Sequence, residues 1–113
     1  MQSLLTVSNQ NDVTVLALQG RLDGLASPQL EQRLDALLAD GVRKVVLDCA
    51  ALAYVSSAGL RVFLGGAKKL KSAGGRAAFA ALTPAVHEVF ELSGFLEVLA
   101  VHPTAAAATA SLA

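Results

Sequence analysis

The chain has 113 residues, enough for one core and one domain. Nine Lys and Arg balance nine Asp and Glu, so the basic excess that nucleic-acid or anionic-membrane binding draws on is missing. Hydrophobic residues make up 54% and aromatics 4%, which predicts a core of Leu, Val and Ala, and no apolar run approaches the ~20 residues of a membrane span.

Met1 to Leu5 carries no basic region ahead of a long apolar run, so no signal peptide is expected. The single cysteine, Cys49, excludes an internal disulfide framework and fits a reducing compartment. Both features predict a cytoplasmic protein. Cys49 itself follows a strand and is expected to be a small buried residue, not a nucleophile.

Residues 4–7 form a short β-prone run, and Asn9 to Asp12 make a turn cluster. Residues 13–19 follow as a second strand, with Val13, Val15 and Ala17 on one side and Thr14, Leu16 and Leu18 on the other. An antiparallel hairpin is predicted, ended by Gly20. Arg21, Leu22, Asp23 and Gly24 then form a polar connection, in which a turn-forming Asp-Gly is the simplest account of Asp23. Ser27 and Pro28 open the first helix as cap and first-turn proline. Leu30, Leu34, Leu37 and Leu38 are its apolar stripe, and Asp40-Gly41 closes it.

Residues 42–49 return as a strand, giving a strand–helix–strand crossover. A second helix is predicted from Ser57 to about Ala73, because Leu60, Phe63, Leu64 and Ala67 recur at helical spacing. Gly65-Gly66 inside it points to close packing against a strand or to a kink. Lys68, Lys69 and Lys71 read as a solvated helix end. Residues 76–82 form another strand, Thr83-Pro84 starts a third helix with Val86, Val89 and Phe90 inward, and Gly94 ends it. Residues 97–101 are the expected last strand, and Thr104 caps a final alanine-rich helix that is free to fray. The order predicts an α/β domain: a central, mixed and mostly parallel sheet of about five strands with about four helices, spanning residues 1–113.

Enzyme signatures are missing. There is no phosphate-binding Gly-x-x-x-x-Gly-Lys-Ser/Thr run and no Gly-x-Gly-x-x-Gly fingerprint. His87 and His102 have no second ligand at metal spacing and read as surface or rim residues. A hydrolase elbow at Ser57 would place glycine where Val55 stands. What remains is the Tyr54-Val55-Ser56-Ser57-Ala58-Gly59-Leu60 stretch, in which two hydroxyls meet the start of the second helix. Ser57 is expected to be its N-cap. Open N–H groups and the helix dipole favour negative charge there, so a phosphate on Ser57 would be locally tolerated.

These residues, with Gly20-Arg21-Leu22-Asp23 and Val45-Val46-Leu47-Asp48, resemble a STAS domain, specifically the bacterial anti-sigma factor antagonists. The resemblance covers nearly the whole chain. That family's signature is Asp-Ser-Ser/Thr-Gly-Leu at the start of the second helix. Aligned on Gly59-Leu60, the phosphorylated serine falls on Ser57, Ala58 replaces the second hydroxyl, and Ser56 replaces the aspartate. The resemblance implies a phospho-switched binding protein with no enzymatic activity and no cofactor. Its partner would be an anti-sigma factor serine kinase, with a phosphatase to reset the switch. Ser57, with Ser56 as the second choice, would take the phosphate. Leu22, Asp23, Ser56, Ser57, Ala58, Gly59 and Arg61 would meet the partner, and the chain alone is expected to be a monomer. Two other roles fit the same scaffold: a permanent, unphosphorylated STAS subunit of a lipid-transport ABC complex, or a phosphoprotein adaptor in a stress-signalling assembly.

Overall fold

The structure is a computed structural model, and it describes residues 5–113. Strands β1 (Leu5–Gln10) and β2 (Val13–Leu22) form the expected antiparallel hairpin. The predicted start of the first strand at Leu4 lies outside the described residues. The turn is shorter than the predicted cluster, because Asn9 and Gln10 continue β1 opposite Thr14 and Val13. Asn11 makes the turn in the left-handed conformation, φ 59°, which asparagine tolerates better than most residues.

Beyond the hairpin come α1 (Ser27–Ala39), β3 (Lys44–Val55), α2 (Ser57–Ser72), β4 (Arg76–Ala80), α3 (Pro84–Leu92), a single 3-10 turn (Phe95–Glu97), β5 (Val101–His102) and α4 (Ala105–Leu112). The strands lie in the order β1-β2-β3-β4-β5, with β1 antiparallel and the rest parallel. Among the described residues, the four-helix, five-strand α/β architecture is the predicted one.

Several boundaries differ from expectation, each for a local reason. Gly20 does not end β2. It takes a φ of 78° inside the strand, where the register against β3 shifts, and the strand runs on to Leu22. That extension gives β3 a partner past Cys49: Ala51, Leu52, Tyr54 and Val55 pair with Gln19, Gly20, Arg21 and Leu22. The predicted loop before the second helix is therefore strand. At the other end, β4 stops at Ala80 because Ala81 turns the chain at φ 57°. The predicted strand at 97–101 shrinks to Val101–His102, since Gly94 in the left-handed region launches the 3-10 turn instead.

The sheet is covered on both faces, as parallel strands require. Leu16, Leu18, Val45, Leu47, Cys49, Leu52 and Phe79 face α1, α2 and α3. Val13, Val15, Val46, Ala78 and Ala80 face α4 through Ala108 and Leu112, so that helix is anchored at its middle and end. The two predicted sides of β2 are the two faces of the sheet. Although aromatics are few, all four phenylalanines gather in one place. Phe63, Phe79 and Phe90 meet edge to face at 5.0–5.9 Å between ring centroids, and Phe95 joins Phe90 at 5.8 Å. The core is aromatic at its centre and aliphatic around it.

Of the Gly65-Gly66 pair, Gly66 packs against a helix and not the strand that was expected, while nothing lies within 4 Å of a Cβ on Gly65. A Cβ on Gly66 would stand 2.9 Å from Cδ1 of Leu34 in α1, so glycine lets the two helices approach. Lys69 reinforces that contact from outside, with its Nζ 2.9 Å from Asp35 Oδ1.

Candidate functional site

At the C-terminal end of β2 and β3 the chain turns twice into a helix, and both turns depend on β2. Its last residue, Leu22, has a fully buried side chain. Its carbonyl accepts the Ser56 N–H at 2.9 Å and the Ser56 hydroxyl at 3.0 Å, which ties the start of α2 to the end of the neighbouring strand. Leu22 thus supports the site through its backbone carbonyl, with its side chain turned into the core.

Ser56, not Ser57, is the N-cap of α2. Its backbone is extended, φ −85° and ψ 172°, and its Oγ accepts the Gly59 N–H at 3.1 Å. The one-place difference follows from β3, which holds Val55 in register with Leu22 and leaves Ser56 as the first residue free to cap. Ser57 is the first residue of the helix. It is exposed, and its hydroxyl makes no hydrogen bond among the described residues. Around it, Ala58 is half-buried and Gly59 buried. A Cβ on Gly59 would lie 2.7 Å from Val55 Cγ2 and 2.9 Å from the Leu22 carbonyl oxygen, so only glycine lets α2 start this close to β2.

Asp23 anchors the second turn. Its Oδ1 accepts the N–H groups of Leu25 at 3.1 Å and Ala26 at 3.0 Å, and its carbonyl accepts the Ser27 hydroxyl at 2.6 Å. Ala26 is therefore the N-cap position of α1, and Ser27, expected there, is the first helical residue. The carboxylate of Asp23 does the work usually left to a cap side chain.

The turn held by Asp23 lifts Leu25 into solvent at 86% exposure, a residue that sequence reasoning passed over because it sits between turn residues. Beside it, a surface groove between the first turns of α1 and α2 is lined by Gly24, Ser27, Pro28, Glu31, Ala58, Arg61 and Val62. Arg61 is exposed, and among the described residues it has no hydrogen-bond or ion-pair partner. Tyr54, at the end of β3, is also exposed and carries the Arg21 guanidinium 4.2 Å from its ring centroid. Of the predicted site residues, Ser56, Ser57, Ala58, Gly59 and Arg61 share the first two turns of α2 and its cap, while Asp23 braces the adjoining turn.

Other candidates fall elsewhere. Cys49 is fully buried, and burial pushes its thiol up to about 12, so it stays protonated. Thr83 occupies the N-cap position of α3, but its hydroxyl donates to the Leu52 carbonyl at 2.9 Å in place of a cap bond. His87 is exposed and His102 half-buried at a separate depression. Among the described residues no group of three or more His, Cys, Asp or Glu is placed to hold a metal ion, and no helix is long and apolar enough to cross a membrane.

The fold and site define a small α/β scaffold that carries a capped helix start, an exposed serine and a flanking apolar turn on one surface. The chain belongs to the STAS domain family, whose model matches residues 5–108. A Bordetella bronchiseptica protein named as the anti-sigma factor antagonist BtrV is 42% identical over 107 residues, spanning 95% of this chain and 92% of that protein. The crystal structure of a protein from Thermotoga maritima, named as an anti-sigma factor antagonist, has a TM-score of 0.90 at 20% identity and covers 96% of this chain and 93% of that one. The Bacillus cell fate determinant SpoIIAA, solved in its phosphorylated form, has a TM-score of 0.77 at 22% identity over 96% of this chain and 99% of that one.

Proposed function

We propose that this chain is an anti-sigma factor antagonist: a binding module, not an enzyme, that docks on an anti-sigma factor serine kinase and is released by phosphorylation of Ser57. The observation that carries the reading is the division of labour between the two serines. Ser56 is consumed by the cap, whereas Ser57 is exposed, has a free hydroxyl and is flanked by two small residues. A kinase must bring a phosphoryl donor within bonding distance of that oxygen, and Ala58 and Gly59 leave room for it. The names borne by the relatives, and the phosphorylated form of one of them, support the same reading.

In this scheme the partner binds ATP. Ser57 Oγ attacks the γ-phosphorus, ADP leaves, and the hydroxyl proton passes to a base on the partner. The product carries about −1.5 to −2 charge where the partner had docked, so rebinding would require desolvating a dianion. Leu25 supplies the apolar anchor of the docking surface, and Arg61 and the Asp23 turn supply its polar rim. The reading places the chain in the bacterial cytoplasm with its kinase and a resetting phosphatase.

Incubation with candidate anti-sigma kinases and ATP, followed by intact and tandem mass measurement, tests the proposal. One phosphate on Ser57 is expected. Ser57→Ala should bind the kinase without accepting phosphate, and Ser57→Asp should bind more weakly. Phosphate on Ser56 would overturn the residue. No phosphate from a kinase that demonstrably binds would overturn the switch and leave a permanent partner role.

A further inference from the structure

We propose that Arg61 is a built-in counter-charge for a phosphate on Ser57, an inference that rests on Ser57 being the modified residue. The two positions are four apart on α2, which puts them on one face of the helix, about 5–6 Å apart at their Cβ atoms. The anion would be the N-terminal member and the cation the C-terminal one, the favourable orientation for such a pair. Both side chains are exposed, so neither has to be uncovered for the pair to form. A guanidinium presents a planar fork of donors that matches phosphate oxygens.

The surrounding charges leave this role to Arg61. Arg21 lies over the Tyr54 ring, and the Asp23 carboxylate accepts from Leu25 and Ala26. Glu31, across the groove on α1, stands 4.0 Å from Lys69. Arg61 alone among these has no partner among the described residues. Phosphorylation would therefore do two things to the docking surface. It adds an anion at Ser57, and it draws the Arg61 cation out of the groove bounded by Gly24, Pro28 and Glu31. A partner that uses Arg61 in the unmodified state loses that contact as well as meeting the dianion.

The test uses the full chain with phosphoserine inserted at position 57 during translation, so that no kinase takes part. The second ionisation of the phosphate is followed by phosphorus NMR titration in the parent and in Arg61→Ala and Arg61→Lys. Helix-dipole effects are common to all three. The second pKa is expected to rise by roughly half a unit in Arg61→Ala, since an adjacent cation favours the dianion. The rise should be smaller in Arg61→Lys, and about 1 M salt should shrink the difference between parent and Arg61→Ala. Equal titration of parent and Arg61→Ala at low salt would overturn the proposal. A kinase that phosphorylates another residue would sink the proposed switch and leave this titration result standing.

Discussion

At Ser56 the side chain accepts from the Gly59 N–H and donates to the Leu22 carbonyl, so Ser56→Ala removes both bonds at once. Denaturant unfolding should show a loss of about 1–2 kcal/mol, as for other N-cap truncations. Ser57→Ala removes a hydroxyl that bonds to nothing described and should cost about half a kilocalorie or less. A larger loss at Ser57 than at Ser56 would mean that α2 starts one residue later than Ser57. The sequence shows two hydroxyls and a helical period, which locate the helix start to within one residue. Which serine caps is decided by the pairing of Val55 with Leu22, thirty-odd places away in the chain, and no local pattern carries that information. The same holds at Asp23, where an Asp-Gly turn was legible but its capping of α1 from four residues before Ser27 was not.

Helices α1 and α2 touch through Leu34 and Gly66, and that contact can be dissected element against element. Leu34 is 8% exposed, and Leu34→Ala should destabilise by roughly 2–5 kcal/mol as a core truncation. Gly66→Ala alone gains helix propensity, worth roughly 1 kcal/mol, but presses a methyl against Leu34 Cδ1. In the Leu34→Ala background that collision is gone and the new methyl partly fills the space. The double variant should therefore be more stable than the two single effects summed, by about 0.5 kcal/mol or more in a cycle of unfolding experiments. Strict additivity would show that the helices do not meet at this pair. Gly59→Ala is the contrasting case: its neighbours include the Leu22 backbone oxygen, which cannot swing away, and a loss of about 1–3 kcal/mol is expected. The helices themselves were legible, because apolar spacing coincides with a hydroxyl or proline signal near the starts of α1, α2 and α3, although the cap position fell one place before the expected serine in α1 and α2. Strand ends were not. β3 gained residues 50–55 because β2 lengthened beside it, and β5 lost residues to a 3-10 turn, both consequences of tertiary pairing.

Over the whole molecule, the alternation of strands and helices was enough to give the sheet, and the two sides named for β2 fall on its two covered faces. The aromatic cluster was hidden in the low aromatic content, since four phenylalanines spread over residues 63–95 converge only once β4 lies between α2 and α3. Cys49 sits fully buried in the same main core, and its titration reports on the fold as a unit. Burial, with a smaller contribution from the Asp48 charge, raises its pKa to about 12, whereas an unfolded thiol titrates near ~8.5. The raised value means that the native state holds the proton more tightly than the unfolded chain does. The stability this reflects is fully present below about pH 8.5 and is lost as pH climbs towards 12, at a rate of no more than about 1.4 kcal/mol per pH unit. Cys49→Ala has its own cavity cost at every pH, but it lacks this slope. Urea unfolding from pH 7 to pH 11 should therefore show the parent losing stability faster than Cys49→Ala above about pH 9. Below pH 8 the two curves should run parallel. Parallel curves across the entire range would mean that the thiolate is as well accommodated in the folded core as in water, and that the main core opens readily around Cys49.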